Sequence, residues 1–155
     1  MELRSVEELM DLLHACRGVR HSPGPGGRRP GSRADLHEHA LQTAALLRRG
    51  RPADKELQVA GLVHGIGRLL PPGGEPGHAE RAADAVRSLL GERVAALIRL
   101  HAAPAHDAYP DDDLTALRQA ADGAGAAGAA AGVVEDWRTV LELVAARNSR
   151  LGAVD

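Results

Sequence analysis

Eight histidines in 155 residues are the main chemical resource of this sequence. Four of them, His39, His64, His78 and His101, fall in succession at the ends or on the faces of helical stretches. Neutral imidazole is the commonest metal-ligating side chain. Helical proteins build such sites from side chains that point inward from facing helices. No two of the four are close enough in sequence to form a local ligand motif, so a shared site would have to be assembled by the fold. The competing reading is four scattered surface or helix-capping histidines. A metal held by His64, His78 and His101, with or without His39, would act as a Lewis acid and lower the pKa of a bound water.

The elements that must position these residues read as helices. Ser5, with Glu8 three residues on, has the spacing of a capping box, and the helix it opens should end near Gly18. Asp35 can cap a second helix running to about Arg49. Pro52 and Asp54 restart a third, which ends at the glycines of His64-Gly65-Ile66-Gly67. Helix four covers about His78 to Leu90, and Gly91 stops it. Helix five covers Glu92 to about Ala102. One of Asp111, Asp112 and Asp113 can cap a short helix through Ala121, and a last helix runs from about Val133 to Leu151, with Gly152 as its stop. No period-2 alternation competes with this pattern. The expected fold is therefore all-α, a compact bundle of five to seven helices in one domain over residues 1–155. Residues 22–32 (SPGPGGRRPGS) read as a flexible loop, and residues 123–132 as an Ala/Gly low-complexity segment.

Composition narrows the functional classes. The formal net charge is −2, with no Phe, one Tyr, one Trp and one Cys. Leu, Val and Ala must fill the core, which suits helices better than strands. Arg28, Arg29 and Arg33 lie among Pro and Gly and read as a solvated loop, so no nucleic-acid partner is expected. No run approaches the roughly 18 apolar residues of a membrane span. There is no signal-like start, and Cys16 alone cannot form an intramolecular disulfide. These features make the cytoplasm the expected compartment and a small molecule the expected ligand. The oligomeric state is left open. Cys16 and Trp137 read as core residues. His14 reads as a partly exposed helix residue, and His21 and His37 as exposed.

The words around the four histidines resemble the HD-domain superfamily, near the phosphonate-cleaving mixed-valence di-iron oxygenases. His-Ala-Leu-Gln-Thr-Ala (39–44) resembles the first ligand helix. Ala-Gly-Leu-Val-His-Gly-Ile-Gly (60–67) resembles the helix that normally reads L-x-H-D-I-G. His78 with Ala82 and Ala83 resembles the third ligand helix, and Gly91 to His101 the segment ending in the fourth histidine. Trp137, Leu141 and Leu143 fit a C-terminal helix of the oxygenase subgroup. The resemblance spans about Arg33 to Ser149. It implies an HD helical bundle, with His39, His64, His78 and His101 as metal ligands.

The match breaks at the carboxylates. Gly65 stands where the family has its bridging Asp, and Arg147 where the C-terminal ligand Asp belongs. Without them an Fe, Mn or Zn ion would be weakly held or mononuclear, or there would be none. Glu38, Glu80 and Asp107 are candidate stand-ins. Arg68, just after Gly67, could hold a phosphate or phosphonate, and His106 with Asp107 could contact substrate or the ligands. Two functions are therefore expected in competition. One is a divergent metal-dependent phosphohydrolase or oxygenase acting on a small phosphorylated or phosphonate-like compound. The other is a catalytically degenerate HD domain serving as a binding or scaffold protein.

Overall fold

The computed structural model describes residues 2–18, 36–70, 77–102, 112–124 and 132–152, with side chains to residue 149. The expectations placed on residues 22–32, on His21, His106, Asp107 and Asp111, and on most of the Ala/Gly segment lie outside the described residues. Among the described residues the chain is helical and contains no strand. The α-helices are α1 (Val6–Ala15), α2 (Leu36–Gly50), α3 (Lys55–Val63), α4 (His78–Leu90), α5 (Glu92–His101), α6 (Asp112–Gly123) and α7 (Arg138–Gly152). Two 3-10 turns, η1 (Ile66–Leu69) and η2 (Val134–Trp137), precede α4 and α7. None of these helices is long and apolar enough to cross a membrane.

The helix starts follow from local hydrogen bonding. Ser5 Oγ accepts the Glu8 N–H at 3.2 Å. The Glu8 carboxylate, however, reaches one residue past the cap and accepts the Arg4 N–H at 3.1 Å, so the box is closed at Arg4 instead of Ser5. Asp54 caps α3 by accepting the Leu57 N–H at 3.1 Å. The expected long last helix is divided, because Val134–Trp137 turn as a 3-10 helix before α7 begins.

Small residues let the helices approach closely. A Cβ on Gly61 would lie 2.5 Å from Leu47 Cδ1, so α3 rests directly on α2. Ala44, Ala60, Ala82, Ala83, Ala85 and Ala95 are buried beside Leu57, Leu62, Val86, Leu90, Val94 and Ile98. Trp137 is wholly buried, with the Arg48 guanidinium 4.2 Å from its ring centre, and Cys16 is buried too. Both are core residues, as their sequence contexts indicate.

An ionic clamp that the sequence did not reveal ties α3, α5 and α6 together. Arg93 bonds both carboxylate oxygens of Asp54 at 2.8 Å, Asp113 at 2.8 Å and Glu56 at 3.2 Å. Arg51 holds the other Asp113 oxygen at 2.7 Å. Asp113 therefore anchors α6 through ion pairs, where the sequence suggested only a candidate cap.

Candidate functional site

Two helical hairpins set the site. In the first, α2 and α3 are joined by the short turn at residues 51–54. His39 lies in the first turn of α2, and His64 caps the end of α3. Residues 39–50 rise roughly 16 Å and residues 55–64 roughly 14 Å at ~1.5 Å per residue, so the two histidines come level at the open end. The second hairpin, α4 and α5, turns at Gly91, whose φ of +103° suits glycine. His78 begins α4 and His101 ends α5, so this pair also falls at an open end.

The two open ends meet. The ring centres of His39 and His64 are 5.3 Å apart, those of His64 and His101 5.1 Å, and those of His78 and His101 6.4 Å. Histidines spread over more than sixty residues of sequence thus form one chain of neighbouring imidazoles. His64 is only 4 % exposed, and the other three are half-buried.

Main-chain contacts fix the chemistry of the two central rings. His64 Nδ1 donates to the Gly61 carbonyl at 2.6 Å, and His101 Nδ1 donates to the Ile98 carbonyl. A carbonyl only accepts, so Nδ1 carries the hydrogen and the neutral ring keeps a lone pair on Nε2. Burial holds His64 well below the ordinary imidazole range, and any proton on His101 or His39, together with the Arg68 charge, opposes its protonation further. Burial also lowers His101, opposed by its bond to Ile98 and aided by His78, Arg68 and Arg118. Arg68 is a permanent cation that acts on both rings.

Gly65 and Arg147, where the resemblance would place carboxylates, lie in different surroundings. Gly65 has an ordinary backbone (φ −94°, ψ −4°), so its conformation does not require glycine. A Cβ built there would meet one neighbour, Arg68 Nη1, at 3.3 Å. The Arg68 guanidinium thus stands beside the position that a side chain at residue 65 would occupy. Arg147 is exposed on α7, while Leu141 and Val144 supply the buried face of that helix. The neighbouring Asn148 donates to the Ser88 carbonyl at 2.7 Å. Glu38 and Glu80 are both exposed.

The donor set was tested against the metal that the resemblance implies. Two imidazoles bound to one tetrahedral ion at the ~2.0–2.1 Å of a zinc–nitrogen bond have ring centres about 5 Å apart. The His39–His64–His101 spacing is close to that value. Yet no three His, Cys, Asp or Glu side chains among the described residues are arranged to hold an ion as they stand. The ring spacing records only that the imidazoles are neighbours, whereas an ion needs nitrogens converging on one point. The convergence criterion is therefore the stricter guide. With an arginine beside Gly65, these residues do not fit a carboxylate-bridged dinuclear centre.

Several neighbouring groups hold the site in shape. Arg118 donates to the carbonyls of His101 at 3.2 Å and Leu100 at 2.9 Å, closing the end of α5. Arg81 donates to the Gly67 carbonyl at 3.1 Å, and Thr43 Oγ1 to the His39 carbonyl at 2.8 Å. The two arginine contacts have no sequence signature, because each joins a long side chain to main chain set by packing, whereas the Thr43 bond is a local contact within α2. His37, expected to be exposed, is 8 % exposed and donates Nδ1–H to the Leu13 carbonyl at 3.0 Å. It stacks on His14 at 6.1 Å, and His14 pairs with Glu135 at 2.9 Å. His37 is buried because α1 covers that face of α2. A separate groove of about 580 Å³, lined by Leu46, Leu47, Arg51, Thr115 and Gln119 among others, contains none of the four site histidines.

No family model matches the chain, and no curated protein matches it.

Proposed function

We propose that the chain is an HD-type helical domain that no longer works as a metal-dependent hydrolase or oxygenase and uses its histidine cluster to bind a small molecule. The supporting observation is the Arg68 guanidinium, 3.3 Å from the Cβ position of Gly65. Two unit charges ~4 Å apart at an effective dielectric of ~20 interact by about 4 kcal/mol, and a divalent ion doubles the repulsion. The imidazoles themselves supply no negative charge, and hard ions such as Fe and Mn favour oxygen ligands.

A second reading is a divergent enzyme with one ion on imidazole ligands. It draws on the Nδ1–H to carbonyl bonds of His64 and His101, since metal-bound histidines almost always anchor their other nitrogen in this way. Elemental analysis of untagged protein, together with assays on phosphomonoesters and phosphonates with added Mn, Fe or Zn, separates the two. The binding reading expects little metal and no turnover; stoichiometric metal with turnover would establish the enzyme.

A further inference from the structure

The nature of the ligand follows from the two kinds of group the cluster presents, given the reading of the site as one without a metal ion. Arg68 is a permanent cation and a hydrogen-bond donor. Its Nη1 stands 3.3 Å from the Cβ position of Gly65, the residue that follows His64. The two central imidazoles offer the opposite kind of group. Their Nδ1–H bonds point back to their own helices, so the Nε2 edge, away from the helix, is a hydrogen-bond acceptor.

A ligand that satisfies both must be negatively charged and must also carry a hydrogen. Fully deprotonated sulfate would be drawn to Arg68 but would set oxygen lone pairs against nitrogen lone pairs. Dihydrogenphosphate, present in quantity near neutral pH, has the same tetrahedral shape and brings two O–H groups, one for each ring. We propose that the four-histidine cluster is a metal-free site for a hydrogen-bearing tetrahedral oxyanion, in which Arg68 holds the charge and the Nε2 atoms of His64 and His101 each accept one of the ligand's O–H groups. No imidazole has to change protonation state for this.

The test is calorimetric titration of chelator-treated protein with inorganic phosphate and with sulfate at pH 7 and low ionic strength. A site whose buried polar groups match an O–H rejects the analogue lacking it, so phosphate should bind at one site at least about 30-fold more tightly than sulfate. Arg68→Gln should weaken phosphate at least about 10-fold, as loss of a charge-assisted bond does, while Arg68→Lys retains part of the affinity. In ¹⁵N spectra the bare Nε2 signals of His64 and His101 should move on adding phosphate and stay in place with sulfate. Phenyl phosphate, chiefly a dianion without an O–H at pH 7, should like sulfate bind more weakly than inorganic phosphate; tighter binding of the ester would overturn the O–H requirement.

Equal affinity for phosphate and sulfate, no phosphate binding, or unchanged binding by folded Arg68→Gln protein overturns this inference and leaves the metal-free reading standing. Phosphate binding that appears only with added Mn or Zn and vanishes with chelator overturns the metal-free reading itself.

Discussion

Gly67 lies against the first residue of α4: a Cβ at 67 would stand 1.7 Å from the His78 carbonyl oxygen. Main chain touches main chain there, so neither side can yield by changing rotamer. The contact seats the η1 turn, and with it His64, against the helix that begins with His78. Gly67→Ala should therefore destabilise the protein by about 3 kcal/mol or more, the upper range for overpacking. Gly65→Ala, two residues away, meets only the tip of an arginine and should stay within about 1 kcal/mol. Urea denaturation of both variants gives the comparison; equal losses would contradict the packing account.

The Arg93 hub predicts a salt-sensitive contribution. Its side chain is 38 % exposed, so each ion pair is screened by solvent, but one guanidinium serves three carboxylates. Arg93→Gln should lower stability by roughly 1–2 kcal/mol at low salt, since exposed single pairs contribute about 0.2–1 kcal/mol each. The difference from wild type should shrink markedly in 1 M NaCl. A loss that salt does not change would mean that Arg93 acts through packing of its stem.

Burial of His64 and His101 predicts an acid-sensitive fold. Both pKa values are depressed in the folded state from an ordinary 6.5. Below that value the unfolded chain binds protons that the folded chain refuses, so stability falls as pH drops through 6.5 towards the folded pKa values. The slope is up to about 1.4 kcal/mol per pH unit for each group. Asp54 and Asp113, held below the ordinary carboxylate range chiefly by hydrogen bonds from Arg93, act in a separate and more acid window. Thermal melts from pH 8 to pH 5 should show the first loss beginning near pH 6.5. His64→Gln, which cannot titrate, should flatten it.

Restoring the carboxylate tests the role of Arg68. Gly65→Asp alone should form an ion pair with Arg68 and gain little metal. Gly65→Asp combined with Arg68→Ala should take up Zn or Mn measurably by dialysis and elemental analysis. Adding Arg147→Asp should contribute nothing further, because residue 147 faces solvent. Equal metal uptake by the single and double variants would contradict the assignment of Arg68.

The all-helical architecture was legible because helix starts and stops are local. Ser5, Asp54, Gly77 and Gly91 stand next to the elements they bound. The order of the four histidines was legible as well, since hairpins of matched length bring helix ends level. Three features were not legible. The burial of His37 depends on α1 crossing α2. The ionic clamp joins residues 39 and 20 positions apart in sequence. The approach of Arg68 to Gly65 depends on the 3-10 turn that follows His64, which the sequence suggested only as a helix end.

Metal content tests the central claim most directly. Untagged protein, purified without chelator, dialysed against Fe, Mn and Zn in turn and passed through gel filtration, should retain well under one equivalent of any ion per chain. One or two equivalents surviving that treatment, in a protein with Arg68 intact, would contradict the account.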